Sequence, residues 1–559
     1  MLATTAKQVG NGHWDALRKC ITAWQRRWHQ GAIAGRTGRM ENNSVQTTSK
    51  SMLETRVIRQ GRELTRAALG WNQFIKAMFS FPAMCVSLMV AVLFALSVRA
   101  IGEPDIWWHL RNARQLLEYR AMARVDTYSF TANGAPWINH EWLSEVPFFL
   151  GFKSLGLQGI LLTYFVLVAL IYLGVYYRAW RGGANCKNAV VATMVSILFG
   201  VVSIGPRMLL FGWLCMVVLL ILLDRFRRKG SGIWLVPPLF ALWINLHGSW
   251  VFGLVVLATV ILCGLPQGTW GLVETRRWAP SERRKLLTAS ALSCAALLLN
   301  PFGYHLILYP LELLSRQHLV TSEIQEWQPV NFATGNGKLA LIMILTLLAA
   351  ALFSRRKWRL DEVALVAFAL VTSLTHARFL FFAGLIMAPI LAPRLTLFPP
   401  YDRDSDKPLL NAAIMVGVVV ALIHFFPSSE RLQQKVDAEY PTAALNFMQA
   451  QNITGRILNS YGWGGYMEWR APELRPFIDG RADIFIYNGV FADYVDATTL
   501  RRLLEVLDKY HIAYALLGPE KPMAYLLDHV PGWRVIYSDK VAKLYERQSI
   551  EGAAGPGGK

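Results

Sequence analysis

The chain has 559 residues, of which 54% are hydrophobic, and its mean hydropathy is positive. A soluble protein of this length would have neither property, so the composition indicates a polytopic membrane protein. The net charge of +20 would suggest nucleic acid in a soluble chain, but most of the excess lies in the N-terminal segment and in short loops between apolar runs. We therefore attribute the charge to membrane orientation and expect no nucleic-acid partner. The six cysteines follow no spacing that would indicate a disulfide framework or a zinc site.

Residues 1–80 are basic and polar, and they contain no signal-peptide core followed by a small-residue cleavage site. We expect a disordered cytoplasmic segment there. A later start of translation, at Met52 or Met78, is the alternative.

Eleven apolar runs predict membrane-spanning helices, although several are shorter than the roughly 20 residues that an untilted span prefers. Two long runs are divided where helix breakers and polar groups coincide, at Gly205-Pro206 and at residues 245–248. The runs are residues 82–101, 157–177, 189–205, 207–223, 233–247, 249–265, 286–300, 338–354, 360–375, 379–396 and 409–426. The predicted fold class is an α-helical polytopic membrane protein of about eleven transmembrane helices, with residues 81–426 as the transmembrane domain.

Loop charge sets the orientation, because lysine and arginine collect on the cytoplasmic side. With the basic N-terminus inside, every second connection is basic, whereas the connections between them carry few basic residues for their length. The basic connections are residues 178–187, 225–229, 276–285, 355–359 and 394–407. The sequence therefore predicts a cytoplasmic N-terminus, with everything after the last span on the outer side.

After Phe426 the apolar runs stop, and residues 427–547 are expected to form a small extracytoplasmic α/β domain, followed by a disordered tail at 548–559. Helical patterns at 440–451 and 498–510 accompany short β-prone runs at 456–459, 476–478, 513–517, 534–537 and 542–545. The densest polar and aromatic part is Tyr461-Gly-Trp-Gly-Gly-Tyr-Met-Glu-Trp with Asp479-Gly-Arg-Ala-Asp. Glycines there permit close backbone approach, and structural packing is the alternative role for most of these residues.

The first outer loop, residues 102–156, places carboxylates, histidines and four tryptophans between two apolar runs. It begins Glu103-Pro-Asp-Ile-Trp-Trp-His-Leu and later contains Trp137-Ile-Asn-His-Glu-Trp-Leu-Ser-Glu. A connection this long is usually functional or disordered, and so many aromatic residues argue against disorder. We interpret the loop as the floor of an active site on the membrane, with an interfacial aromatic belt as the alternative.

Polar residues at the outer ends of other runs point to the same place. Ionisable groups near a membrane core are costly, so their gathering on one face suggests a shared water-filled cavity. Taken singly, Arg207 and Arg378 could be membrane anchors and His247 a helix cap. We predict one basin, in which Asp105 lies within about 20–24 Å of those arginines, or two helix diameters. The set is Asp105, His140, Glu141, Arg207, Asn245, His247, Asn300, Tyr304, Glu323, Glu326, His376 and Arg378.

Several segments resemble the GT-C superfamily of membrane glycosyltransferases, which includes protein O-mannosyltransferases, the aminoarabinose transferase of lipid A and the catalytic subunit of oligosaccharyltransferase. The segments similar to its first outer loop are Asp105-Ile-Trp-Trp-His-Leu, Asp126-Thr-Tyr-Ser-Phe-Thr and Trp137-Ile-Asn-His-Glu-Trp-Leu. The likeness is strongest to an uncharacterised bacterial branch, through Trp243-Ile-Asn-Leu-His-Gly, Asn300-Pro-Phe-Gly, Glu326-Trp and the Tyr461 and Asp479 segments. These short motifs are spread over residues 80–547.

The resemblance implies an enzyme of a bacterial inner membrane that uses a polyprenyl-phosphate-linked sugar at the periplasmic face. In characterised relatives an acidic residue just after the first span contributes to catalysis, and Asp105 matches that position. Transfer needs a carboxylate that deprotonates or orients the acceptor, and cations that stabilise the departing phosphate.

We assign the carboxylate role to Asp105, with Glu141 second and His140 in support. Arg207 and Arg378 are assigned to the phosphate, because guanidinium groups bind it bidentately, with His247 and His376 as weaker candidates. Further outer-face candidates are Trp108, His109, Asn245, Glu326, Tyr461, Trp463, Asp479 and Arg481.

The metal requirement expected for this chain differs from that of part of the superfamily. The oligosaccharyltransferase subunit holds a divalent metal partly through an Asp-x-Asp motif in its second outer loop, whereas that connection here is Gly205-Pro206-Arg207. We therefore expect no metal cofactor, with Mg²⁺ or Mn²⁺ shared by Asp105 and Glu141 as the alternative.

Two other functional classes remain open: a flippase or transporter for a lipid-linked glycan, and a non-catalytic factor of cell-envelope assembly. A transporter would carry polar residues within its spans, whereas the polar groups here lie at span ends. The sequence leaves open the sugar, the acceptor (glycan, lipid or protein) and the oligomeric state.

Overall fold

The computed structural model describes residues 73–99, 102–201, 205–316, 327–395 and 397–548. The chain divides into two compact units, Met1–Met78 and Phe79–Lys559. Of the first unit the structure describes residues 73–78, which are helical. Disorder was predicted for residues 1–80 and 548–559. Residues 1–72 and 549–559 lie outside the described residues, whereas residues 73–78 are helical.

Each of the eleven apolar runs corresponds to an α-helix, as its composition predicts. Three additional helices, at residues 106–118, 142–155 and 304–316, lie in connections between runs. In chain order the helices are α1 (Phe81–Arg99), α2 (Ile106–Glu118), α3 (Trp142–Leu155), α4 (Leu157–Arg181), α5 (Cys186–Gly200), α6 (Leu209–Lys229), α7 (Val236–Leu246), α8 (Trp250–Cys263), α9 (Pro280–Ala296), α10 (Tyr304–Arg316), α11 (Gly335–Phe353), α12 (Leu360–Thr375), α13 (Leu380–Leu391) and α14 (Pro408–His424).

The predicted count of eleven spans is not reached in the described parts of the chain. Four helices, α1, α4, α6 and α11, are long and apolar enough to cross a membrane. A fifth span results if α14 and the following α15 (Ser429–Glu439), which meet at 60°, are counted together. Four more apolar helices are shorter, because caps such as His247 and Gly264 end them after 10–17 residues. Composition predicted the helices correctly but overestimated how many of them are long and apolar enough to cross a membrane.

The first outer loop is folded around two helices. One side of α2 buries Ile106, Trp107 and Leu110, while α3 carries the end of the loop into α4. Between them the Asp126 carboxylate accepts hydrogen bonds from Tyr128 N (3.1 Å) and from Ser129 N and Oγ (3.2 and 2.6 Å). This turn brings the segment back toward α2, as the aromatic content of the loop predicts.

A small sheet that the sequence did not predict joins the connection before α9 to the connection before α12. Strands β1 (Gly268–Trp270) and β2 (Val273–Thr275) are antiparallel, and β3 (Trp358–Arg359) pairs with β2 in parallel.

Residues after α15 form the α/β region that the sequence predicts. Its four-stranded sheet has the order β4-β5-β7-β6, with one parallel and two antiparallel pairings. The run at 476–478 makes only an isolated bridge, from Pro476 to Ile457, and is not a strand. The elements are α16 (Thr442–Ala450), β4 (Ile457–Asn459), α17 (Gly464–Arg470), α18 (Ala482–Tyr487), α19 (Val490–Thr498), α20 (Leu503–Lys509), β5 (Tyr514–Leu517), α21 (Pro522–Leu527), β6 (Trp533–Ser538) and β7 (Lys543–Arg547).

This α/β region shares a hydrophobic core with the first outer loop. Trp108 and Trp137 of the loop are buried in one cluster with Phe477 and Ile478. Backbone contacts continue the interface, since Phe130 N donates to Pro476 O at 3.3 Å. Packing of these two parts encloses the candidate site.

Candidate functional site

A polar cavity of about 380 Å³ lies where the first outer loop, the helix ends and the α/β region meet. Asp105, Arg207 and Arg378, which are far apart in sequence, all line it, and so do His140, Glu141 and His247 of the twelve residues predicted to share one basin. The polar side chains around it are Glu103, Asp105, Trp108, His109, Asn139, His140, Glu141, Arg207, His247, Tyr309, Trp327, Arg378, Tyr461, Arg481 and Asp483.

Asp105 occupies the position that precedes α2, and its side chain does not cap that helix. Instead the carboxylate faces the cavity and accepts a hydrogen bond from Trp108 Nε1 at 3.3 Å. Burial raises the pKa of Asp105 to about 7, Glu103 adds to the rise, and Arg207 opposes it. A carboxylate with a pKa near neutrality can exchange a proton with an acceptor.

Glycines of the two C-terminal motifs bring backbone against this carboxylate. A Cβ at Gly480 would lie 1.8 Å from Asp105 Oδ1, and a Cβ at Gly465 would lie 3.1 Å from the ring of Trp108. Only glycine allows so close an approach at residue 480. The Asp-Gly-Arg motif thus forms part of the wall beside Asp105.

The two arginines assigned to phosphate both line the cavity, in different surroundings. Arg207 Nε is 2.7 Å from Glu103 Oε2, so this guanidinium has a carboxylate partner. The guanidinium of Arg378 stacks over Trp327, 4.0 Å from the ring centroid. An anion bound beside Arg207 would share it with Glu103.

Three imidazoles surround Glu141. His247 Nε2 lies 3.3 Å from Glu141 Oε1, His140 Nε2 lies 3.8 Å from the same oxygen, and His109 Nε2 lies 3.7 Å from Oε2. The Nδ1 of His247 accepts a hydrogen bond from Ser249 N at 3.0 Å, so its Nε2 carries the proton that faces Glu141. Burial raises the pKa of Glu141, while His140 and Arg378 oppose that rise.

Glu145 is a site residue that the sequence analysis missed. It is buried behind the cavity wall, where its Oε1 lies 2.9 Å from His109 Nδ1. The sequence analysis included Glu145 at the end of the Trp137 segment but assigned it no role. The four-residue spacing between Glu141 and Glu145 could have indicated this role, because residues four apart lie on one face of a helix.

Arg481 and Asp479, which were predicted as site residues, form a buried cluster of ion pairs. The Arg481 side chain is 1% exposed, pairs bidentately with Asp479 at 2.9 and 2.6 Å, and lies 2.8 Å from Asp126 of the first outer loop. Its Nη2 also lies 3.3 Å from Glu468. Arg481 touches the cavity wall, whereas Asp479 does not line it. This ion-pair cluster joins the α/β region to the loop.

Several other candidates are not brought to the polar cavity. The amide of Asn245 accepts from Trp142 Nε1 at 3.0 Å and donates to two backbone carbonyls, which is a packing role. Trp463 Nε1 donates to Glu439 O at 3.1 Å, and Trp463 is not among the residues that line the cavity. His376 lines the neighbouring groove instead. Glu323 and Glu326 lie outside the described residues.

An apolar groove of about 460 Å³ adjoins the polar cavity. Its walls come from α6, α7, α8, α10, α12 and α13 and include Trp213, Phe252, Phe381 and Phe382. The groove and the cavity share His140, Glu141, Leu209, His247, Tyr309, Trp327 and Arg378. The polar cavity and the apolar groove therefore meet at these shared residues.

Across the described ranges, no group of three or more histidine, cysteine, aspartate or glutamate side chains is arranged to hold a metal ion. No protein-family model matches the sequence, and no curated protein matches it. The geometry of the cavity and groove is therefore the basis for assigning a function.

Proposed function

We propose that this membrane protein is a glycosyltransferase of the GT-C type, which transfers a sugar from a polyprenyl-phosphate-linked donor to a glycan, lipid or protein acceptor. The observation that carries the proposal is the junction of a polar cavity with an apolar groove of about 460 Å³. A lipid-phosphate sugar has the same division, because its charged phosphate separates a polar sugar from an apolar chain.

We assign the phosphate to Arg378, which lines both the cavity and the groove, with His247 as a weaker candidate because its Nε2 proton faces Glu141. A guanidinium can donate two parallel hydrogen bonds to phosphate and stabilise the charge that develops as the sugar departs. Arg207 would add a second cation, in competition with Glu103. The isoprenoid chain would then lie along Phe252 and the aromatic residues of α13.

Asp105 is proposed as the carboxylate that orients or deprotonates the acceptor, with Glu141 second and His140 in support. Both carboxylates line the cavity on the side of the first outer loop. We propose transfer without a metal cofactor, and Mg²⁺ or Mn²⁺ at Asp105 and Glu141 is the alternative. Full activity in excess chelator distinguishes these two mechanisms.

The proposed location is a bacterial inner membrane, with the N-terminus cytoplasmic and the α/β region periplasmic. The charge pattern of the loops supports this orientation. The bilayer itself would deliver the donor to the groove.

The test is sugar transfer by the full-length protein in lipid nanodiscs, supplied with a panel of radiolabelled polyprenyl-phosphate sugars. Asp105→Asn should lower the rate by about 100-fold or more, the usual contribution of a general base. Asp404→Asn, the same change at an exposed position, is the matched control and should leave the rate unchanged. Wild-type rates in Asp105→Asn would refute its role, and movement of the donor across the bilayer without transfer would indicate a flippase.

A further inference from the structure

Four side chains in and behind the cavity wall form an alternating chain of carboxylates and imidazoles. His109 is central, with Nδ1 2.9 Å from Glu145 Oε1 and Nε2 3.7 Å from Glu141 Oε2. His247 Nε2 lies 3.3 Å from the other oxygen of Glu141. The order is Glu145, His109, Glu141, His247, and only Glu145 lies outside the cavity lining.

The buried end of this chain fixes the direction of its hydrogen bonds. The side chain of Glu145 is 1% exposed, and its Oε1 accepts hydrogen bonds from Asn112 Nδ2 (3.0 Å) and Asn139 Nδ2 (3.1 Å). Asn139 Nδ2 also lies 3.0 Å from Oε2. An oxygen that receives two amide N–H groups has no room for a proton of its own. His109 Nδ1 must therefore donate to Glu145.

That hydrogen bond determines what His109 presents to Glu141. Burial lowers the pKa of His109 well below its usual value, so the ring is neutral at pH 7. A neutral imidazole has one N–H and one acceptor nitrogen. With the proton on Nδ1, the acceptor Nε2 faces Glu141 Oε2.

We propose that Glu145 is a positioning residue for Glu141, acting through His109, whose ring it holds with Nε2 toward the Glu141 oxygen that takes the proton of the sugar acceptor. This inference rests on the proposed function, in which Asp105 then orients the acceptor. The acceptor O–H bond breaks, and its proton passes to Glu141 Oε2, which His109 Nε2 faces at 3.7 Å. The acceptor oxygen forms the new bond to the sugar, while the sugar–phosphate bond breaks and its electron pair leaves on the phosphate. His109 stays neutral, because burial lowers its pKa.

The tautomer of His109 is the first test, and it needs no turnover. The full-length protein, labelled with ¹⁵N-histidine in nanodiscs, is measured by NMR near pH 7, and the His109 signal is assigned by its loss in His109→Gln. We expect a neutral ring with the proton on Nδ1. A proton on Nε2 would mean that Glu145 does not direct this ring, and it would overturn the proposal.

The second test is the rate. Glu145→Gln keeps the shape of the side chain but can offer an N–H group to His109 Nδ1, so the ring is no longer held with its proton on Nδ1, and we expect kcat to fall by about 100-fold with little change in KM for the donor. Glu118→Gln, at the exposed end of the helix α2 that carries His109, is the matched control. Equal kcat in these two variants would overturn the positioning role and leave the proposed function intact. Failure of the proposed function looks different, because the wild type itself would then transfer no sugar.

Discussion

At the scale of single residues, the site depends on how the groups around Asp105 set the pKa of its carboxyl group. Its carboxylate lies among Glu103, Arg207 and Trp108, and its pKa is raised to about 7, chiefly by burial. The sequence indicated Asp105 through its motif, but it could not indicate this environment. Arg207 and Gly480 are 102 and 375 positions away, and only tertiary packing brings them beside it.

The raised pKa predicts how activity depends on pH. If ionised Asp105 is required, transfer should rise with pH and reach half its maximum near pH 7. Glu103→Gln removes a negative charge and releases Arg207, and both changes favour the ionised form of Asp105. The midpoint should therefore move to lower pH, as measured by kcat/KM profiles of the two proteins. A midpoint that stays or moves upward would contradict this account of the carboxylate.

Gly480 is expected to be intolerant of any side chain. The added methyl group of Gly480→Ala would lie 1.8 Å from Asp105 Oδ1, so one of them must move by more than 1 Å. A displacement of that size at a catalytic group costs about 100-fold in rate. Gly417→Ala is the control, because nothing lies within 4 Å of the added carbon there. Equal rates in the two variants would show that Asp105 need not occupy this position.

At the scale of elements, hydropathy predicted the helices and motif density predicted the loop that lines the site. Each apolar run is helical, yet α7 and α8 have only 11 and 14 residues, because the cap residues that end them depend on local backbone geometry. The small β1-β2-β3 sheet was not foreseeable, since its two- and three-residue strands carry no periodic pattern. The ion pair between Arg481 and Asp126 could not be predicted from the sequence either, because it joins elements more than 350 residues apart.

The Arg481 cluster should stabilise the contact between the first outer loop and the α/β region. Arg481→Gln leaves buried acids without their cation, and such a loss typically costs about 3–5 kcal/mol. Thermal unfolding in detergent should show a clearly lower midpoint. Arg534→Gln breaks an exposed ion pair with Glu546 and should cost only about 0–1 kcal/mol. If both variants unfold at the same temperature, the cluster is not the joint between these parts.

At the scale of the whole molecule, one arrangement explains both the hydrophobic composition and the polar motifs. Apolar helices form the groove, and the first outer loop and the α/β region form the polar cavity next to it. The sequence predicted that the polar residues would meet, because alternating connections deliver them to one face. It gave no sign of the groove, because the residues that line it come from six helices and only tertiary packing brings them together.

The central claim is that cavity and groove together form one site for a lipid-linked phosphate. It is tested most directly by a cryo-electron-microscopy map of the full-length protein in nanodiscs with a polyprenyl phosphate added. We predict phosphate density about 2.7–2.9 Å from the Arg378 guanidinium, the range of charge-assisted hydrogen bonds, with the isoprenoid chain lying along Phe252 and Phe382. A phosphate bound elsewhere, with the groove filled by protein side chains, would contradict the account.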